Sequence, residues 1–93
     1  MGLKIHRTQA RSAVDGCVTL LSIVGINAKA ESVFRTENSF IELIIWSTSI
    51  PTHYFIPVDN DGLVELADVE TLSGIVEKIK IDKLSTEAKG EGY

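Results

Sequence analysis

The stretch Phe40-Ile41-Glu42-Leu43-Ile44-Ile45-Trp46 decides the fold of this chain. It contains neither Gly nor Pro and consists almost entirely of large apolar side chains, which is typical of a strand buried in a sheet. Because side chains alternate across a strand, Ile41, Leu43 and Ile45 share one wholly apolar face. That face must be covered by helices, whereas the opposite face, which carries Glu42, can stay partly exposed.

A helix is predicted before this strand, beginning at Thr8 as its N-cap and ending at Gly25. Its apolar residues recur at intervals of three and four, as on one face of a helix. They are Ala10, Ala13, Val14, Cys17, Val18, Leu21 and Val24. A break at Asp15-Gly16 would instead make residues 17–26 a buried strand; the helix is favoured.

Two further strands are predicted beside the central one, over residues 31–37 and 52–58, with residues 27–30 as a connection. The turn residues at 37–39 suit a hairpin, and those at 59–62 form a second turn. The three strands therefore form an antiparallel sheet.

A second helix is predicted from Asp68, its N-cap, to Lys83, with a short extended segment before it. Residues 3–7 also alternate, which suits either a short strand or an irregular lead-in. The predicted fold is α+β, a three-stranded antiparallel sheet with two helices packed on one face, in the order α-β-β-β-α. One domain is predicted over residues 1–84, followed by a flexible C-terminal tail over residues 85–93.

The composition favours a cytoplasmic protein of 93 residues, with 44% hydrophobic and 24% charged residues. The single cysteine, Cys17, cannot form an internal disulfide, which suits a reducing compartment. Basic residues before the apolar run at 17–26, with Ala28-Lys29-Ala30 after it, resemble a secretory signal, but Asp15 interrupts the pattern. The run is also shorter than the roughly 20 apolar residues of a membrane span.

No catalytic constellation or cofactor motif is found, and we expect a non-enzymatic protein without a metal or a cofactor. Cys17 has the position of a core residue, and His6 and His53 have no ligand partners at metal-binding spacing. Asp59-Asn60-Asp61-Gly62 resembles the middle of a calcium-binding EF-hand loop. The first ligand position of that loop, however, would fall on Pro57, so a turn is favoured.

The order of elements resembles that of the double-stranded RNA-binding domain. That family holds phosphates with a basic cluster at the start of its last helix. Here the stretch Ala67-Asp68-Val69-Glu70-Thr71 is acidic. Since phosphate contacts supply much of the affinity for nucleic acids, we expect no direct nucleic-acid binding.

Charge is segregated along the sequence, because residues 36–77 contain no Lys or Arg. Their acidic residues are Glu37, Glu42, Asp59, Asp61, Glu65, Asp68, Glu70 and Glu77. A negative surface of this kind either maintains solubility or steers the chain onto a basic partner. In size and acidity, though without a shared motif, the chain is similar to phage inhibitors of nucleases or CRISPR effectors and to immunity proteins.

The functional hypothesis is a small acidic protein-binding module and, more specifically, an inhibitor that occupies a basic, nucleic-acid-binding surface of a partner protein such as a nuclease or a CRISPR effector. Trp46 is either an apolar anchor of this interface, together with Tyr54 and Phe55 on the neighbouring strand, or a core residue. The predicted partner-binding residues are Asp59, Asp61, Glu65, Asp68, Glu70, Trp46 and Tyr54. The alternative is a structural or assembly subunit that forms a homo-oligomer through its sheet. No membrane partner is expected.

Overall fold

The structure, a computed structural model, describes residues 2–91 as an α+β protein with two antiparallel sheets. Its elements are β1 (Lys4–His6), α1 (Arg7–Ile23), β2 (Asn27–Val33), β3 (Ser39–Trp46), β4 (Thr52–Val58), β5 (Leu63–Glu65) and α2 (Leu66–Glu91). The larger sheet has the order β2-β3-β4, and β1 pairs with β5 in a two-stranded sheet. The α+β prediction is confirmed, but the order α-β-β-β-α omits the two short strands.

The apolar face of β3 forms the centre of the core. Ile41, Leu43 and Ile45 are at most 1% exposed, and buried side chains of both helices join them in one cluster. Helix α1 lies over β2 and against α2, which also contacts β4 and β5. The buried residues are Ala10, Val14, Cys17, Leu21, Val24, Ile26, Ile41, Leu43, Ile45, Ile56, Val64, Val69, Leu72 and Val76.

Helix α1 is capped at both ends, which decides between helix and strand for residues 17–26. The predicted cap Thr8 is wrong: the imidazole of His6 accepts the backbone N–H of Thr8, and the Gln9 side chain accepts the N–H of His6. At the other end Gly25 adopts a φ of 79°, and the N–H of Ile26 donates to the carbonyl of Leu21. This is the Schellman arrangement expected of a C-terminal glycine.

Strand β2 lies four residues earlier than predicted. Asn27–Val33 pairs along its whole length with β3, from Asn27 opposite Trp46 to Val33 opposite Phe40. Ala and Asn have weak strand propensity, which is why residues 27–30 had been interpreted as a connection. The half-buried Ala28 and Ala30 pack against the core, and this tertiary contact overrides propensity.

The outer edge of β2 is partly protected by Arg11 of α1. Its guanidinium donates to the carbonyl of Ala30 at 3.1 Å and to the hydroxyl of Ser32 at 2.8 Å, while Asp15 accepts from its Nε at 3.0 Å. A free strand edge invites pairing with another chain. Arg11 therefore satisfies part of this edge and ties it to the helix.

The small sheet anchors the start of α2. Ile5 lies opposite Val64, and the backbone N–H of Leu66 donates to the carbonyl of Leu3 at 2.9 Å. The helix therefore begins at Leu66, and the prediction that Asp68 is its N-cap is wrong; Asp68 lies in the first turn, where a carboxylate favours the helix dipole.

Helix α2 continues beyond its predicted end, because the backbone of residues 85–91 is helical. The division into a domain over 1–84 and a flexible tail over 85–93 stays a prediction, and residues 92 and 93 lie outside the described part of the chain.

The coverage of only one face of β3 can be tested with a matched pair of substitutions. Leu43→Ala opens a cavity in the core and should lower the free energy of unfolding by about 3 kcal/mol. Ile44→Ala, on the neighbouring and half-exposed position, should cost about 1 kcal/mol or less. Urea unfolding of both variants measures the difference. Equal losses would contradict the assignment of the covered face.

Candidate partner-binding surface

The turn between β4 and β5 is organised by the carboxylate of Asp59. One of its oxygens accepts the backbone N–H groups of Asp61 and Leu63, each at 2.9 Å, and the other accepts from Lys4 at 2.9 Å. Gly62 adopts a φ of 75°, which suits glycine in a tight turn. The hydrogen bond from Lys4, followed by that from the Leu63 backbone, lowers the pKa of Asp59.

Lys4 interrupts the predicted negative surface. Its ammonium lies 2.9 Å from Asp59 and 3.9 Å from Glu65, because β1 pairs with β5. The hydrogen bond to Asp59 raises the pKa of Lys4, and Glu65 and Asp61 add to this effect. Two of the predicted acidic residues are thus partly neutralised by a residue from the beginning of the chain.

The other three predicted acids form no salt bridge within residues 2–86. They are Asp61, Asp68 and Glu70. Asp61 lies in the turn and Glu70 on the exposed side of α2, whereas Asp68 is half-buried. The chain therefore keeps uncompensated carboxylates around the start of α2.

Asp68 borders two neighbouring grooves. The first, of about 250 Å³, contains Lys4, Asp59 and Glu65, and we call it the lysine groove. The second, of about 140 Å³, runs between β4 and α2, and we call it the β4–α2 groove. Its lining residues are Tyr54, Phe55, Ile56, Asp68, Thr71, Leu72 and Ile75. Asp68 thus lies beside Tyr54 in one groove and beside Asp59 and Glu65 in the other, while Glu70 borders neither groove.

Trp46 lies away from this surface. Trp46 is the last residue of β3. The first residue of β3, Ser39, pairs with Val58, which directly precedes the turn at Asp59. Seven residue steps along the strand separate these ends by about 23 Å. Trp46 is 38% exposed and borders a groove of about 430 Å³ with Gly25 and Ile79. The structure does not bring Trp46 to the other predicted site residues.

The second face of the large sheet carries exposed aromatic groups. Phe55 is 56% exposed and packs edge-on against Phe40, with ring centroids 5.2 Å apart. The Glu42 carboxylate contacts the His53 imidazole at 2.8 Å on the same face. We call the surface formed by Phe40, Glu42, Ile44, His53, Phe55 and Pro57 the open sheet face; the alternation of β3 and its register with β4 place these side chains together.

Sequence reasoning missed two arginines beside the turn. Arg7 packs over the ring of Phe34 at 4.7 Å, and Arg35 lies 6.0 Å from the centre of the Phe40 ring. The backbone N–H of Arg7 also donates to the carbonyl of Gly62 at 2.9 Å. An Arg-Phe neighbourhood is visible at 34–35, but nothing in the sequence indicates that Arg7 joins it.

The single cysteine, Cys17, is a core residue. Its thiol is buried, and burial raises its pKa although a hydrogen bond with Ser73 opposes the shift.

The described residues form neither a metal-binding cluster nor a membrane-spanning helix. No group of three His, Cys, Asp or Glu side chains within them could hold a metal ion. Neither helix, over the same residues, combines the length and the hydrophobicity that crossing a bilayer requires.

No protein-family model, curated protein or solved structure matches this chain. A function must therefore be inferred from the geometry and charge of the surface itself.

The charge of Asp59 should make the stability of the fold depend on pH. Because the folded-state pKa lies below the ordinary value of 3.8, its contribution is present above about pH 4 and is lost as the pH falls through the folded-state pKa. Asp59→Asn removes the charge but keeps an oxygen for the turn. The variant should therefore be less stable than the wild type at neutral pH. This difference in the free energy of unfolding, measured by urea unfolding, should become smaller as the pH is lowered, because the wild-type Asp59 then loses its charge as well.

Asp61→Asn is the matched control, because Asp61 lies in the same turn without a salt bridge within residues 2–86. Its difference from the wild type should vary much less with pH. A deficit of Asp59→Asn that is constant with pH would contradict the role of the salt bridge.

Proposed function

We propose that this chain is a small protein-binding module that engages a basic surface of a partner protein through the lysine groove, the β4–α2 groove and the adjoining carboxylates. The observation that carries the proposal is the position of Asp68, half-buried on the rim of an apolar groove and without a salt bridge among the described residues.

The β4–α2 groove suits the side chain of a lysine or an arginine. Such side chains lay their aliphatic stems on apolar surface and keep the charged head at a polar rim. Tyr54, Leu72 and Ile75 supply the apolar walls, and the Asp68 carboxylate supplies a charge-assisted hydrogen-bond acceptor. Glu65 in the neighbouring groove, which Lys4 neutralises only in part, extends the negative potential for a second basic residue.

The net charge of the chain, −4 at pH 7, supports a basic partner. Complementary potentials accelerate encounter and disfavour partners of like charge. Basic protein surfaces belong largely to nucleic-acid-binding proteins, such as a nuclease or a CRISPR effector. In this proposal the chain covers such a surface and inhibits its partner, without binding nucleic acid itself.

The proposal predicts that Asp68 is important for binding a basic segment. Asp68→Asn should weaken the affinity for a short peptide of alternating Lys and Ala by about fivefold, equivalent to about 1 kcal/mol. Surface plasmon resonance at several salt concentrations measures the affinity, which should fall as salt screens the charges.

Asp82→Asn is the matched control for this experiment. Asp82 lies on the same helix, beside the groove of Trp46, and about 21 Å along the axis from Asp68. This variant should bind the peptide as the wild type does. Equal losses for the two variants, or an affinity that is independent of salt, would contradict the proposal.

A second candidate function, self-association through the open sheet face, is favoured by a different observation. Phe55, which is 56% exposed, and Phe40 present aromatic surface on the open sheet face. Exposed aromatic residues in a sheet often mark an interface. In this alternative the chain is a structural or assembly subunit that forms a homo-oligomer.

Substitution of Phe55 tests the self-association. If the open sheet face is an interface between copies, the wild type dissociates on dilution in sedimentation equilibrium, and Phe55→Thr is a monomer at every concentration. Ile50→Thr removes an even more exposed apolar side chain from the loop after β3 and should leave the association unchanged. A wild type that is monomeric throughout contradicts this second function.

A further inference from the structure

A polar groove of about 270 Å³ lies at the end of the molecule where the loop after β2, the start of α1 and the turn after β4 meet. Two arginines line it, and we call it the arginine groove. Its lining residues are Arg7, Phe34, Arg35, Thr36, Ser39, Val58, Asp59, Asn60 and Gly62. It is separate from the grooves assigned above to a basic partner, although Asp59 borders it and the lysine groove.

Both arginines are held against aromatic rings, and neither has its charge neutralised by a carboxylate of the described residues. The guanidinium of Arg7 lies 4.7 Å from the centre of the Phe34 ring, and that of Arg35 lies 6.0 Å from the centre of the Phe40 ring. Neither forms a salt bridge with a carboxylate of the described residues. Aromatic contacts of this kind orient a guanidinium and leave its N–H donors free for a ligand.

The backbone around the groove is fixed by hydrogen bonds. The N–H of Arg7 donates to the carbonyl of Gly62 at 2.9 Å, which joins the start of α1 to the turn. The Ser39 hydroxyl accepts the N–H of Arg35 at 3.2 Å and donates to its carbonyl at 3.1 Å, which closes the loop. The two arginines therefore lie on segments that are held by the fold.

Asp59 is the one carboxylate in the lining, and its charge is already compensated. Its oxygens accept from the Lys4 ammonium and from two backbone N–H groups of the turn. The hydroxyl of Thr36 and the amide of Asn60 add neutral donors to the lining. The groove therefore combines two unneutralised cations with further hydrogen-bond donors.

We propose that the arginine groove is an anion-binding site for a phosphate group, as free phosphate or as a phosphate monoester. Two guanidinium groups match the charge of a phosphate dianion, and their forked donors match its oxygens. A carboxylate has one charge and two oxygens, so it uses fewer of the donors.

The proposal is tested by titrating the full chain with sodium phosphate, at constant ionic strength and above neutral pH, and recording the Nε–H signals of Arg7 and Arg35 by nuclear magnetic resonance. Both signals should shift and saturate together at millimolar phosphate. Methyl phosphate should bind comparably if the ligand is a monoester, and more weakly than phosphate if the site takes the free ion.

Variants define the site. Arg7→Gln and Arg35→Gln should each weaken phosphate binding by about tenfold, and Arg7→Lys should weaken it less because the charge remains while the fork is lost. Lys78→Gln removes a distant exposed charge on α2 and should leave the affinity unchanged. Amide spectra of the variants confirm the fold; Arg35, in an exposed loop, is the substitution least coupled to folding.

Three results would overturn the proposal. The first is an absence of saturable shifts at the two arginines. The second is an equal loss of affinity in Lys78→Gln and Arg35→Gln, which would indicate non-specific screening. The third is acetate binding as tightly as phosphate, which would assign the groove to carboxylates.

Discussion

The fold depends on covering the apolar face of β3. Ile41, Leu43 and Ile45 lose nearly all contact with water, and burial of such side chains is worth about 2 kcal/mol each. Helices supply the cover because they present apolar stripes of the required width. Ala28 and Ala30 lie opposite Ile45 and Leu43, and these small side chains let α1 pack closely over β2. The sheet therefore has one covered face and one open face.

Both helices and the strands β3 and β4 could be predicted because their signals are local, whereas β2 begins four residues before its predicted start because residues 27–30 have weak strand propensity. The 3.6-residue period of α1, the glycine that ends it and the apolar run of β3 each lie within one short window. The pairing of β1 with β5 could not be predicted in the same way, because it joins distant parts of the sequence, such as Lys4 and Glu65, by backbone hydrogen bonds. The His6 cap also escaped prediction, since imidazole is an uncommon capping group.

The candidate surface was predictable only in part, since charge along a sequence differs from charge in space. The stretch from 36 to 77 lacks cations, yet β1 brings Lys4 beside Asp59 and Glu65. The convergence of Asp68 with Tyr54 follows from the packing of α2 beside β4, which no spacing in the sequence encodes. Trp46 was grouped with these residues by its chemistry alone, and the direction of β3 places it at the other end of the sheet.

The position of Lys4 separates a negatively charged side of this end of the molecule from a positively charged side. Its salt bridge compensates Asp59, the carboxylate shared by the lysine groove and the arginine groove. Asp68 and Glu65 therefore dominate one side, and Arg7 and Arg35 dominate the other. For the proposed basic partner, this means that the segment facing Arg7 and Arg35 should not itself be basic, because like charges brought together at an interface are costly. Specificity can thus arise from the arrangement of these few charges, beyond the net charge of the chain.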